Sequence, residues 1–338
     1  IIKRGIALTP VKFGISFTNS MLNQAGALVL LYTDGSVQVN HGGTEMGQGL
    51  FTKVAQVVAT AFQVDIDNIK ISSTRTDKVP NTSATAASAG SDLNGMAAFD
   101  AATQIKARMV GVAARHFGAS EDEIEFRQNR IYGGNKSLSF AELAQKTWEA
   151  RESLSATGFY QTPDLSWDPI TCSGSPFYYF SYGVSISEVV IDTLTGESRT
   201  LRTDILQDCG KSLNPRVDYG QIEGAYVQGM GWLTSEELVW NDKGRLLTHG
   251  PSTYKIPGSR DVPPEFNIHI LDDAPNRMPT IFRSKAIGEP PLMLAISVWL
   301  ALRDAVKRSG DGTKLPKLNA PATPEAILKA VTEIRAVN

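Results

Sequence analysis

The chain has 338 residues, 42% of them hydrophobic and 20% charged, enough apolar material for about two or three globular domains. A formal net charge of -2 and no long basic run exclude nucleic acid or an anionic membrane surface as main partners. With no apolar stretch of about 18 residues, two cysteines (Cys172 and Cys209) and four scattered histidines, neither a membrane span nor a metal or iron–sulfur site held by protein ligands is expected, and the location expected is cytoplasmic.

The chain opens on Ile1-Ile-Lys-Arg-Gly-Ile-Ala-Leu8, without methionine and already strand-like, so it reads as part of a longer polypeptide. Residues 1–10 predict an extended strand, and 12–18 an aromatic and hydroxyl-bearing loop. Apolar runs at 27–32 and 37–39 flank Asp34-Gly35, the pattern of a tight hairpin. The hairpin feeds His41-Gly-Gly-Thr-Glu-Met-Gly-Gln-Gly49, and a helix is expected over 50–63. A glycine-rich loop before a helix start suits a polar or anionic ligand, although a plain connector has the same composition. The spacing is neither GxGxxG nor GxxxxGK[ST], so a dinucleotide or P-loop site is excluded.

After a strand at 69–73, residues 80–91 contain no large side chain. Such a stretch is either a linker or a loop pressed against a ligand. A helix is expected over 92–117, then a hairpin at 123–126 and 130–132. Ser139 with Glu142 forms a capping box that opens a helix ending near 151. Residues 155–177, anchored by Trp167, read as a connecting excursion.

Strands are expected at 178–191 and 197–207, then a helix at 215–231 carrying Gly220, Gly224, Gly229 and Gly231 beside Gln221. Each interior glycine costs about 1 kcal/mol against alanine, so four imply close packing on a backbone or a ligand. Residues 266–271 form a short strand, and a last helix opens at Pro324. The fold class expected is α+β: two loosely similar halves of mixed sheets with long packed helices, residues 1–154 and 178–338.

Lys285-Ala-Ile-Gly-Glu-Pro-Pro-Leu-Met-Leu-Ala295 stands out. Pro290 and Pro291 suit the first helical turn, which puts Glu289 at the N-cap of a helix running through Leu294, Val298, Leu302 and Val306. That helix is apolar almost all round and so expected to be buried, with Glu289 buried at its start. There the helix dipole favours the charge and desolvation opposes it. Glu289 is then either an ordinary acidic cap or a general base.

Gly42-Gly-Thr-Glu-Met-Gly-Gln-Gly49, Thr82-Ser-Ala-Thr-Ala-Ala-Ser88, Gly220-Gln-Ile-Glu-Gly-Ala-Tyr-Val-Gln-Gly229, Gly250-Pro-Ser-Thr-Tyr-Lys-Ile-Pro257 and Lys285-Ala-Ile-Gly-Glu-Pro-Pro-Leu292 together resemble the molybdenum hydroxylase family, in order and over nearly the whole chain. The resemblance covers the C-terminal half of the molybdopterin-binding portion. It implies a molybdenum–molybdopterin cofactor whose metal is held by the pterin dithiolene, carries a sulfido ligand and takes no protein side chain. It implies that Met46, Gly47, Gln48, Ala86, Ala87, Ser88 and Gln221 contact the cofactor. Phe17 would pack against a flat substrate, with the Thr18 hydroxyl beside it. Glu289 would be the base of an oxidative hydroxylation in which hydride passes to the sulfido ligand. The residues 16–18 loop favours a purine, hypoxanthine or xanthine going to urate, over an aldehyde or another N-heterocycle. The first half of the molybdenum portion, the 2Fe-2S and FAD domains or subunits, and a dimer of the full assembly are the partners implied. A family-related scaffold that holds cofactor without catalysis is the competing reading.

Overall fold

The computed structural model describes residues 1–336, and its architecture is α+β. In chain order the elements are β1 (Ile2–Ile15), β2 (Gln24–Leu31), β3 (Val37–His41), α1 (Leu50–Phe62), β4 (Ile69–Ile71), α2 (Gly90–Phe117), β5 (Ile124–Arg127), β6 (Arg130–Gly133), β7 (Lys136–Ser139), α3 (Phe140–Glu149) and β8 (Ser155–Gln161). They continue with β9 (Ser166–Asp168), β10 (Ser173–Ser175), β11 (Tyr179–Asp192), β12 (Ser198–Gln207), α4 (Pro215–Thr234), β13 (Glu265–Ile270), α5 (Pro290–Leu294), α6 (Ile296–Lys307) and α7 (Pro324–Ala336). Among the described residues no helix is long and apolar enough to cross a membrane. The chain forms two compact units. One, here N-proximal, is Gly14–Tyr179 with Pro275–Ala286; the other, C-proximal, is Ile1–Phe13, Phe180–Ala274 and the residues from Ile287 onward.

The N-proximal unit is built on a sheet of order β4-β3-β2-β8. β2 and β3 pair antiparallel with Leu31 opposite Val37, and Gly35 at φ +85° supplies the left-handed turn residue that the Asp34-Gly35 signal calls for. Alternation along β2 sends Val29 and Leu31 inward, onto Val54 and Val58 of α1 and Ala97, Ala101 and Ile105 of α2. The alanines of α2 allow a very close approach: a Cβ at Gly158 of β8 would lie 2.0 Å from the Ala97 carbonyl oxygen. A small sheet, β5-β6-β7, leads into α3. The expected capping box is present, with Glu142 N–H donating to Ser139 Oγ (3.2 Å) and Ser139 N–H to Glu142 Oε2 (2.7 Å).

Residues 155–177, read from sequence as a connecting excursion, contain three strands. Ser155–Gln161 is β8, paired antiparallel with β2, and β9 and β10 pair into a small hairpin. Polar and small residues at alternate positions of β8 hid its strand character, because Gly158 packs on a helix backbone rather than filling space with a side chain.

The C-proximal unit carries the sheet β1-β11-β12-β13, with β11 and β12 antiparallel around a bulge at Glu188/Val189 and β13 parallel to β12. Ile191 and Ile205 face Ile222 and Tyr226 of α4 and Leu294, Val298, Leu302 and Val306, with Ile327 and Val331 of α7 completing the core. β1 runs to Ile15, further than expected, so the predicted loop over 12–18 shrinks to its last residues. The expected continuous helix after Glu289 is two segments, α5 and α6, parted at Ala295. Ser297 Oγ donates back to the Leu294 carbonyl (2.8 Å), a side-chain bond to the backbone that competes with the helical pattern at the junction.

Candidate cofactor and active site

In the N-proximal unit the two small-residue loops are tied together. Thr44 N–H donates to Thr85 Oγ1 (2.9 Å), and Thr74 Oγ1 donates to the Gly43 carbonyl (2.7 Å). A Cβ at Gly42 would strike the Thr82 side chain at 1.9 Å, and one at Gly43 would strike Leu50 and Asn94, so these two glycines serve packing. Gly47 differs: it sits at φ +99° with nothing within 4 Å of a built Cβ, and Met46 beside it is 67% exposed. The loop tip therefore faces outward. Gln48 braces it, donating from Nε2 to the Thr44 carbonyl (2.7 Å) and accepting at Oε1 from Met46 N–H (2.5 Å).

The helix start behind this loop is already supplied with an anion. Glu45 Oε1 accepts from Gly47 and Gly49 N–H (2.9 and 3.0 Å), and Oε2 accepts from Phe51 N–H (2.9 Å). Partial burial raises the Glu45 pKa, but these backbone bonds outweigh it and leave the carboxyl below its ordinary value. The first turn of α1 is thus capped from within the chain. The glycine pattern suggested an anion site; the single acid among the glycines is the signal that reading missed.

The second loop ends in strain. Ala87 and Ser88 both adopt left-handed backbone, at φ 53° and 55°, immediately before α2. Two consecutive non-glycine residues in this region persist only where the surroundings enforce it. Ala86 is exposed and Ala87 and Ser88 half-buried. α2 then starts at Gly90, and its N-cap Ala89 supplies no side-chain cap.

Phe17 is half-buried and Thr18 exposed. Their loop is positioned by Asn23, which is buried and accepts from Phe17 N–H at Oδ1 while donating from Nδ2 to the Phe17 carbonyl, both at 2.8 Å. Ser16, at φ 142°, accepts from Tyr178 N–H at its hydroxyl (3.4 Å). Sequence reasoning passed over Asn23; a lone amide after an apolar pair was the available cue.

In the C-proximal unit Glu289 stands where expected, one residue before Pro290 and Pro291 at the head of α5, but its surroundings differ from expectation. It is exposed rather than buried, and its side chain makes no capping bond. The apolar residues behind it are buried, while the glutamate projects from the end of a five-residue helix. That helix is seated tightly on α4: a Cβ at Gly229 would lie 2.4 Å from the Leu292 carbonyl oxygen and 2.9 Å from the Ala295 Cβ. Below the junction, Ser297 Oγ lies 2.7 Å from Ser187 Oγ, and the Tyr226 hydroxyl lies 2.7 Å from both Ser187 Oγ and Thr203 Oγ1. Gln221 is half-buried on α4 between Gly220 and Gly224, where a Cβ at either glycine would meet nothing within 4 Å. The four glycines of α4 thus divide: Gly229 and Gly231 pack against chain, Gly220 and Gly224 leave an open surface around Gln221.

A family model for the molybdopterin cofactor-binding domain matches residues 1–263. The chain belongs to that family. The chain is 49% identical over 337 residues to xanthine dehydrogenase/oxidase of Mus musculus, covering 98% of this chain and 24% of that protein. It is 50% identical over 331 residues to xanthine dehydrogenase of Dictyostelium discoideum, covering 96% and 23%. The chain therefore spans about a quarter of the length of the curated relatives it matches. Among solved structures, CO dehydrogenase from Oligotropha carboxidovorans superposes with a TM-score of 0.85 at 22% identity, over 100% of this chain and 41% of that one. Quinoline 2-oxidoreductase from Pseudomonas putida superposes with a TM-score of 0.82 at 23% identity, over 98% and 42%. These likenesses establish the α+β fold of the molybdopterin cofactor-binding domain for this chain.

The surfaces fit such a cofactor. In the N-proximal unit the outward Gly47 tip and the enforced Ala87-Ser88 turn leave backbone groups open to a ligand, and in the C-proximal unit the open glycine face does the same around the Gln221 amide. Among the described residues no group of three His, Cys, Asp or Glu side chains could hold a metal ion.

Proposed function

We propose that this chain is the second half of the molybdenum-cofactor-binding portion of a xanthine dehydrogenase, taking part in the hydroxylation of hypoxanthine and xanthine to urate. The observation that carries the reading is an identity of about half over nearly the whole chain to proteins named xanthine dehydrogenase from mouse, slime mould and rice. When bound, the molybdenum cofactor, with its dithiolene and sulfido ligands, supplies the oxygen-transfer and two-electron oxidation chemistry.

The chain's own residues then divide the remaining work. Met46, Gly47, Gln48, Ala86, Ala87, Ser88 and Gln221 hold the cofactor through backbone and amide groups. The Phe17 ring packs on the flat face of the purine, and the Thr18 hydroxyl offers it a hydrogen bond. Asn23 keeps that ring in place by clamping its backbone. Glu289 takes the proton released as the new carbon–oxygen bond forms. Two prolines fix the backbone that follows it, so its carboxylate is presented from a rigid end. The first half of the molybdenum portion and the 2Fe-2S and FAD centres that receive the electrons lie in the rest of the full-length protein, which assembles as a dimer.

The test is Glu289→Gln in the full-length protein. Xanthine turnover should fall by about a thousandfold with molybdenum content unchanged. Undiminished turnover would remove Glu289 from the mechanism.

A further inference from the structure

The segment that delivers Glu289 is anchored at its start by a half-buried acid that the proposed chemistry does not use. Tyr179, buried at the first position of β11, donates its hydroxyl to Asp92 Oδ2 at 2.6 Å. The same phenol oxygen accepts from the N–H of Ala286 at 2.8 Å. Asp92 lies in the first turn of α2, two residues after Gly90, where the Ala86–Ser88 loop ends. Ala286 lies three residues before Glu289.

The stretch leading to Ala286 is itself stiff. Asn276 N–H donates to the Arg283 carbonyl (2.8 Å), Asn276 Nδ2 to the Ser284 carbonyl (3.1 Å), and Thr280 Oγ1 to the same carbonyl (2.7 Å). Phe282 and Arg283 sit at φ 47° and 64°, and Ile281 packs on Gly95 of α2. A bond at Ala286 therefore closes a rigid loop rather than restraining a slack one.

Keeping a carboxylate here is costly. Burial pushes the Asp92 pKa up to about 7, against the hydrogen bond from Tyr179 and the charge of Lys53 on α1. The other titratable groups that face it are Tyr160 on β8 and Tyr178 beside Tyr179. An asparagine would fill the same space at no such cost, but a carboxylate polarises the Tyr179 hydroxyl and strengthens its grip on the Ala286 N–H.

We infer that Asp92 and Tyr179 are a positioning pair for the proposed base, tying the cofactor-loop end of α2 to the backbone three residues before Glu289. The inference rests on the proposed role of Glu289. It makes Asp92 a residue that acts through Tyr179 and Ala286, never on substrate.

The experiment uses the full-length protein with Asp92→Asn, Tyr179→Phe, the double variant, and Glu289→Gln as reference. Each single variant should lower kcat for xanthine by about ten- to a hundredfold, with KM within about twofold, because a small misplacement of a base costs rate rather than affinity. Molybdenum content should stay at the wild-type level, and the melting temperature of Asp92→Asn should not fall, since asparagine escapes the cost of a desolvated charge. The double variant should be no slower than the slower single one, since the two groups act as one unit. An inflection in kcat near pH 7 should disappear in Asp92→Asn. Rescue of rate by neither pH nor pairing, that is wild-type kcat in both single variants or a double variant at the product of the two losses, would overturn the inference. A rate loss matched by loss of molybdenum or of melting temperature would overturn it too, since that is a structural role. If Asp92→Asn does not fold, Tyr179→Phe decides alone by the same criteria of kcat, KM and molybdenum. Wild-type turnover in Glu289→Gln would instead bring down the proposed base, whereas a dead Glu289→Gln beside normal Asp92→Asn and Tyr179→Phe variants would bring down the positioning pair only.

Discussion

His41 and Asp92 place opposite demands on the same unit, and pH reads both. His41 is buried at the end of β3, accepts from Gly43 N–H at Nδ1 (3.1 Å), and is held neutral because burial lowers its pKa to about 4. Its unfolded value is near 6.5, so its contribution to stability is present above that pH and lost as pH falls toward 4. Asp92 runs the other way: with a raised folded value its contribution is present below about pH 4 and lost as pH rises through about 7. The two slopes partly cancel between pH 7 and pH 5. Replacing Asp92 by Asn leaves the His41 slope alone, so the urea midpoint should drop more steeply from pH 7 to pH 5 in that variant than in wild type; equal slopes would contradict the assignment. Neither residue was singled out from sequence, since a histidine before two glycines and an aspartate in a helical run carry no mark of burial. Glu289 was legible in position, through the two prolines after it, but not in exposure, because burial depends on what packs around a helix end.

At the scale of elements, α4 shows what a count of glycines can and cannot say. The sequence predicts a helix with four weak points and implies close packing, yet only Gly229 and Gly231 of the four meet other chain segments at contact distance. Gly229→Ala would drive a methyl group into the Leu292 carbonyl and Ala295, both parts of rigid elements, and should cost about 2 kcal/mol or more. Gly224→Ala meets open space and should gain about 0.5–1 kcal/mol from helix propensity alone. Denaturant midpoints of the two variants should therefore move in opposite directions, and a loss of similar size in both would contradict the packing described. Strands such as β2 and β11 were legible because alternation maps directly onto one buried face. β8 was not, because its inward positions are alanine and glycine, whose packing partner is the backbone of α2. The break between α5 and α6 escaped notice because Leu, Ala and Val spacing continues through it; at the junction Ser297 Oγ donates to the Leu294 carbonyl.

For the whole molecule, the chain's two units are interleaved in sequence, and this is the part least visible beforehand. Residues 275–286 join the N-proximal unit through the Ala286 N–H bond to the Tyr179 hydroxyl and the edge contact of Phe282 with Phe99, features that leave little trace in hydropathy. The residues proposed for the cofactor are exposed or half-buried, in a chain spanning about a quarter of the length of its curated relatives. The central claim is that these surfaces hold a molybdenum cofactor. The direct measurement is molybdenum per polypeptide, by elemental mass spectrometry, in the intact full-length protein with its iron and flavin also quantified. The account predicts close to one molybdenum per polypeptide. A folded protein with its iron and flavin in place and no molybdenum would contradict it.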